Sequence, residues 1–493
     1  MNSLWLGRNL LALVVVLAVT RAPAQTAGSA GQDQPPSQVQ PQNQSPDQAA
    51  AQNPNEETNA EAGNTAASGE SRAPVPLPLN IDAGSLEFSQ ELEHTNYLRG
   101  GVNVGATYDD NLLSANGPRI GGYSYSVMPD IAIDLSRPRA VMILDYSGGY
   151  EVNQRFSASN SASHNAGADL RFRLSPHVNL RLTDRFSLTT GFSDPFAASP
   201  TGLATGVIQQ PNLAVITPFA RHTEDVGTVE LTYQYSAGDM IGMSGTFDNS
   251  SFGASPAGSA QLVDSQSEEA DGFYTHRFTP RNWSGVAYVF QRFTFTPATE
   301  SVDTHSFYLF HTIYLQRRMQ LAFFAGPEYS ELSTQIVSTV VAVPLVSVVA
   351  VTDSHDRLSV AGGASFSWQG ERTSISATGL RKVNDGGGLL TVVDATTGTA
   401  SIRRQLTRSS TVELAAIYGD SRALDQTSSV FTELKSASGS LAWVQRMGKS
   451  FSATLGYARD YQQQDVLTVP SANIYHNRGW ITLGYQFTKP LGR

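Results

Sequence analysis

The sequence predicts an all-β fold: a transmembrane, antiparallel, up-and-down β-barrel of about 18 strands (16–18), with a disordered N-terminal arm. Three observations predict it. From about Arg99 to the end, apolar and polar residues alternate with period two, the pattern of a strand whose two faces see different surroundings. Along the same stretch, short turns alternate with long connections, as in outer-membrane barrels. Finally, charged residues make up only 15% of the chain, below the quarter usual in soluble domains, yet the mean hydropathy is −0.21. A helical membrane protein would be strongly hydrophobic. A barrel strand turns only every second residue to lipid.

Residues 1–24 have the form of a secretory signal. Arg8 supplies the positive start, Leu10–Val19 the short apolar core, and Ala22-Pro23-Ala24 the small-residue pattern before Gln25. The apolar run is about half the ~20 residues a spanning helix needs. No later stretch is long and apolar enough to span as a helix. Ile336–Val351 comes closest, but it is short and broken by Pro344. An exported chain embedded without such a helix must close a barrel, because only helices and closed barrels satisfy their backbone in lipid.

Residues 25–75 are rich in Gln, Pro, Ala, Asn, Ser and Gly, with almost nothing to bury. Such a segment cannot offset its ordering entropy and is predicted to be a disordered periplasmic tether. Residues 76–98 are transitional, with Leu86, Phe88, Leu92 and Tyr97 as candidates to pack at the barrel rim. Residues 99–493 are the predicted barrel.

The clearest strands set one apolar face against one polar face. Val102, Val104, Ala106 and Tyr108 oppose Asn103, Gly105, Thr107 and Asp109. Tyr123, Tyr125, Val127, Ile131 and Ile133 oppose Ser124, Ser126, Asp130 and Asp134. Ala168, Leu170 and Phe172 oppose Asp169, Arg171 and Arg173. The same holds at 228–235, 358–369 and 481–488. Residues 303–315 carry aromatics on both faces (Phe307, Tyr308, Phe310, Tyr314), which points to lumen filling there or to a shifted register.

Tight turns fall near Ser136-Arg137-Pro138, Ser175-Pro176, Ala237-Gly238-Asp239, Thr279-Pro280-Arg281, Gln316-Arg317-Arg318, Gln369-Gly370-Glu371, Leu406-Thr407-Arg408 and Met447-Gly448-Lys449. Longer connections are predicted at about 109–120, 153–163, 190–224, 249–268, 297–303, 332–354, 384–392, 420–431 and 461–474. The alternation gives about 18 strands with both termini periplasmic. Tyr108, Tyr123, Tyr146, Tyr150, Trp283, Trp443, Tyr457 and Trp480 lie near strand ends, as interfacial girdles require. The strand Trp480–Phe487 has the alternation of a C-terminal assembly signal, followed by six further residues. The expected partners are therefore outer-membrane lipid and the barrel assembly machinery.

The stretch Val104-Gly105-Ala106-Thr107-Tyr108-Asp109-Asp110-Asn111-Leu112 resembles the start of a β-barrel porin family of outer-membrane proteins associated with capsule and exopolysaccharide gene clusters. The resemblance implies a large barrel with a porin or polysaccharide-secretion role. It carries over no catalytic residue.

Candidate pore-lining residues follow from the register. Arg171, Arg173, Arg181 and Arg185 share the predicted lumen face, where a ladder of guanidinium groups would attract anions. Asp130, Asp134, Asp169, Glu230 and Glu328 point the same way and could neutralise the arginines through internal ion pairs. In many porins the third external connection folds inward. Here that is 190–224, which would bring Asp194, Arg221, His222, Glu224 and Asp225 toward the constriction.

The chain has no Cys, which excludes disulfides, a thiolate metal site, a cysteine nucleophile and a lipoprotein anchor. The nine histidines are scattered. His305 and His311 share one strand side but lie about 20 Å apart at ~3.3 Å per residue, so no metal or cofactor is expected. There is no G-x-S-x-G, H-E-x-x-H or P-loop motif, and no catalytic residue is assigned. A net charge of −10 shows no basic footprint for nucleic acid.

The leading expectation is a channel for small solutes or polysaccharide. The alternatives are a structural or adhesive barrel with a filled lumen, and a barrel enzyme. A histidine within hydrogen-bond reach of a Ser or Asp at the rim would speak for the enzyme.

Overall fold

The computed structural model describes residues 96–491, apart from 115–117, 157–159, 191–215, 217–219, 254–261, 297–299, 317, 343–344, 425–430 and 467–468. The predicted leader, the predicted tether, most of the segment read as transitional and the side chains of 335–353 therefore lie outside the described residues.

Eighteen strands run from β1 (Tyr97–Asp109) to β18 (Val469–Pro490). Each pairs antiparallel with its neighbours in sequence, and β1 closes the ring by pairing with β18 along its whole length. Tyr97 and Leu98, read as transitional, are the first residues of β1. The residues after Phe487 are used as well: Thr488, Lys489 and Pro490 pair with Arg99, Leu98 and Tyr97.

Closure pairs every strand on both sides across the membrane-spanning belt, as a hydrocarbon environment demands. The alternation then sorts side chains. Val104, Tyr125, Val127, Ile131, Leu441, Leu455, Ile481 and Leu483 all lie on the outer face and are exposed. Such a belt is unfavourable in water and favourable in lipid. Tyr108, Tyr123, Tyr146, Tyr150, Trp443 and Tyr457 are exposed on the outer face, in keeping with a girdle. Trp283 and Trp480 are not. Trp283 is buried at 4% exposure. By register Trp283 lies opposite Arg277, and Trp480 shares its face with Arg478 and Thr482, so both rings turn into the lumen. Proximity to a strand end does not set the face; parity does.

Turns at 138–139, 174–177 and 235–238 mark one end; at the other the chain extends further, through long connections such as 191–220 and 253–263 or through tall hairpins such as the one around 343–344. A closed, even-stranded barrel with an apolar outer belt and this turn asymmetry is the architecture of bacterial outer-membrane proteins, and this chain is one.

Two expectations about loops are corrected. The connection 332–354 is a tall hairpin: β11 (Met319–Ala342) and β12 (Leu345–Gln369) stay paired up to Ala342–Leu345. Its run of Val, Thr and Ser favours extended backbone. The connection 384–392 is the tip of another hairpin, formed by β13 (Thr373–Gly386) and β14 (Leu390–Gln405). Predicted strands of ~10 residues are in fact 13 to 25 residues long, because pairing continues beyond the lipid.

Candidate functional site

The lumen has two unlike walls. One is built by β3 (Ala140–Asn153), β4 (Ser161–Arg173), β5 (Val178–Thr190) and β6 (Arg221–Gln234). Residues opposite one another in an antiparallel pair share a face. Asp145 faces Gly167, Arg171 faces Arg181, and Arg181 faces Glu230, which turns all four candidate arginines and Glu230 inward.

Asp169 is held by two guanidinium groups. Arg171 donates to it at 3.1 and 2.7 Å, and Arg181 at 3.2 and 3.0 Å. Those two arginines are thus partly neutralised. Arg173 and Arg185 are in no ion pair among the described residues, and Arg185 is exposed to lumen water. Asp134 receives Arg99 at 3.5 Å, and Asp130 accepts a bond from Asn103 at 3.3 Å. Internal pairing thus engages Arg171 and Arg181 and leaves Arg173 and Arg185 outside it.

The next stretch of wall, from β7 (Asp239–Phe252) to β12, carries an apolar cluster among its inward residues. On β10 (Glu300–Gln316), Phe307 and Leu309 face out while Tyr308 and Phe310 face in. The two-faced aromatics of this strand are lumen filling, with the register unbroken. Tyr308 packs edge-on to Phe324 at 5.2 Å. With Phe310, Phe273, Met240, Ala287, Val289 and Ala361 they form one buried cluster.

Between the walls lies the β13–β14 hairpin. β13 pairs with β12 only from Ser374 to Arg381. Beyond that β12 rises with β11, whereas β13 bends into the lumen. Arg381 grips Asp394 of β14 at 3.0 and 2.8 Å, and Arg357 of β12 reaches the same carboxylate at 2.9 Å, which fastens the base. Glu328, on the inner face of β11 and only 3% exposed, accepts the Val383 amide at 3.2 Å together with the hydroxyls of Ser306 and Ser359.

Both faces of the inserted hairpin are covered. Val383 and Val392 pack on Phe293, Phe295, Val302 and Leu332 of β9 (Asn282–Thr296), β10 and β11. Leu389, Leu390, Val393 and Ala395 pack on Ala220, Leu262, Ala423 and Leu434. The tip turns through Gly387 and Gly388, at φ +61° and +82°. Gly388 lies against the Phe252 ring, 2.5 Å from where a Cβ would stand. A larger residue there would be both strained and crowded.

Of the third external connection, Ile216 is 1% exposed; its amide donates to Gln462 of β17 (Phe451–Val466) at 2.5 Å and its carbonyl accepts from Gln462 at 2.9 Å. His222 stacks on Phe252 at 4.5 Å, and its ring lies 2.9 Å from Ser250 Oγ. Glu224 shares the inward parity of His222. Asp225 is corrected: it has the outward parity of Val229 and leaves the lumen. Arg221 is exposed at the strand end, and Asp194 lies outside the described residues.

The size of the apolar contact decides how firmly the hairpin sits. Burying a Val or Leu side chain is worth about 1.5–3 kcal/mol. Val383, Leu389, Leu390, Val392 and Val393 together hold the inserted state by on the order of 10 kcal/mol, an upper estimate. The hairpin does not swing out freely.

Sequence reasoning missed this element because 384–392 looked like a polar external loop. The Val-Val pair at 392–393 was the available signal. Among the described residues no group of His, Asp and Glu is placed to hold a metal.

No protein-family model matches the chain, and no curated protein matches it. Solved barrels resemble it in outline. OccK2 (OpdF) of Pseudomonas aeruginosa is 9% identical, over 80% of this chain and 98% of that one, with a TM-score of 0.39. OccAB4 of Acinetobacter baumannii is 10% identical, over 80% and 99%, with a TM-score of 0.38. The unliganded ferric citrate transporter FecA is 8% identical, over 80% and 79%, with a TM-score of 0.40. The fold assignment stands on the strand pairing and the outer belt.

Proposed function

We propose that the protein is an outer-membrane channel for solutes or polysaccharide whose external mouth is narrowed by its own β13–β14 hairpin. The observation that carries this is the departure of β13 from the wall at Arg381, which lays a fully packed hairpin across a lumen still water-exposed at Arg185. Polysaccharide enters the reading only through the resemblance at Tyr108–Leu112. Selection would fall to Arg173 and Arg185, the arginines that Asp169 does not hold. The second reading, a filled structural barrel, is favoured by the Tyr308–Phe310–Phe324 cluster.

Planar-bilayer conductance separates the two. The protein from Gln25 onward is expected to give small or rare steps. A variant with residues 384–391 replaced by a two-residue turn is expected to give steady steps of roughly nanosiemens size, as an open lumen predicts. A folded deletion variant that conducts no more than the parent would overturn the channel reading in favour of the filled barrel.

A further inference from the structure

At the external rim of the seam, the first and last strands bring together a serine, a histidine and an aspartate. Asp109 ends β1, His476 lies on β18, and Ser114 follows in the β1–β2 turn. His476 Nδ1 is 3.1 Å from both carboxylate oxygens of Asp109, and Nε2 is 3.1 Å from Ser114 Oγ. The carboxylate is itself fixed by the Asn111 amide at 2.7 Å. His476 is 1% exposed and Asp109 9%, whereas Ser114 is only partly buried. Ser114 also has a φ of +51°. A non-glycine residue in this region carries strain, and such strain gathers at functional sites.

We propose that Ser114, His476 and Asp109 form a serine-hydrolase site for short-chain carboxylic esters that arrive from water at the external mouth. A carboxylate on Nδ1 favours the tautomer with hydrogen there and leaves the Nε2 lone pair for the serine hydroxyl. The ester comes from water because Asp109 and His476 project to the lumen side, opposite in parity to the outer-face Tyr108. Leu113, next to the serine in the chain and 42% exposed, offers apolar contact to a short acyl chain.

In the first half-reaction Ser114 Oγ bonds to the ester carbonyl carbon while its proton passes to His476 Nε2. The carbon–alkoxy bond then breaks, and the leaving oxygen takes that proton. In the second, water adds to the acyl-serine and gives a proton to Nε2. Ser114 Oγ departs and recovers it, releasing the carboxylic acid. The sum is ester plus water to acid plus alcohol. The Ser114 amide is committed to the Asn111 carbonyl at 3.0 Å and is not free to hold the oxyanion. Turnover is therefore expected to be slow, by about 10²–10³ for one missing donor, so covalent labelling is the first readout.

The refolded barrel is treated with a fluorophosphonate, the adduct is mapped by mass spectrometry, and hydrolysis of p-nitrophenyl butyrate is followed. The expected result is an adduct on Ser114, with labelling and hydrolysis falling at least tenfold in Ser114→Ala and His476→Gln. Heat-modifiable gel mobility reports whether each variant is folded. Where His476→Gln does not fold, the pH profile of parent labelling decides: a rise as one base loses its proton supports the site, and a flat profile overturns it. Absence of a Ser114 adduct, or one formed as fast in folded His476→Gln, leaves the cluster as a seam clasp only. Cleavage of phospholipid vesicles in place of the soluble ester would overturn the substrate assignment.

Discussion

The β3–β7 side of the barrel and the β9–β12 side are written in the same period-two code and do opposite things with it. Strands β3 to β7 are 13 or 14 residues long, and on β3–β6 their inward residues include Asp145, Asp169, Arg171, Arg173, Arg181, Arg185 and Glu230. Strands β9 to β12 are 15 to 25 residues long, and inward they present Phe293, Phe295, Val302, Tyr308, Phe310 and Leu332. The difference teaches that polar inward residues on β3–β6 make an ionic wall, whereas on β9–β12 buried polar groups such as Gln291, Thr304 and Glu328 stand among aromatic and aliphatic ones. Where a hairpin returns into the lumen, the inward face becomes a protein core.

The largest effect is expected where the two sides meet. Glu328→Ala removes the acceptor for Val383, Ser306 and Ser359. A hydrogen bond to a charged group is worth about 1.5–3 kcal/mol, so open events in single-channel records should become about 10–100-fold more frequent. Unchanged open probability in a folded variant would show that the apolar contacts alone hold the hairpin.

A middle-sized effect concerns the charged wall. Arg173→Ala with Arg185→Ala should move the reversal potential under a salt gradient toward non-selectivity. The matching Arg171→Ala, Arg181→Ala pair removes the same two positive charges and leaves Asp169 without a counterion, so it should move the potential at least as far, toward cation selectivity. A smaller shift from this pair would mean that Asp169 does not face the permeating ions.

The smallest effect lies at the seam. Burial pushes the Asp110 carboxyl up. Hydrogen bonds from Asn477, at 2.8 and 2.6 Å, and the nearby Arg119 outweigh this and hold it below the usual range. A carboxylate held low in the folded protein stabilises it above the unfolded value of about 4 and loses that role as pH falls through the folded value. Acidification below about pH 4 should thus lower the heat-modification temperature slightly, and Asp110→Asn should flatten that dependence. An identical acid profile in the variant would assign the loss to other groups.

The barrel itself was legible before any coordinates. Alternation at Val104–Asp109 and Ile481–Thr488 set the faces, the tight turns set the strand count, and the low charge with negative hydropathy set the lipid-and-water surroundings. Each is a local property, because a strand's period and a turn's residues act within a few positions. The inward direction of Arg171 and Arg181 was likewise readable from parity.

What only the tertiary structure decided depends on residues far apart in sequence. Nothing near Arg381 says that β13 leaves β12 there. That follows from Glu328 taking the amide of Val383, 55 residues further along the chain, and from the apolar residues of β9–β11 that receive Val383 and Val392. Nor does the Tyr108–Leu112 stretch reveal that Asp109 meets His476 across 367 positions. That contact exists because ring closure sets the first strand beside the last, and closure is a property of all eighteen strands together. Local periodicity determined that this chain would be a barrel; long-range packing decided what fills it.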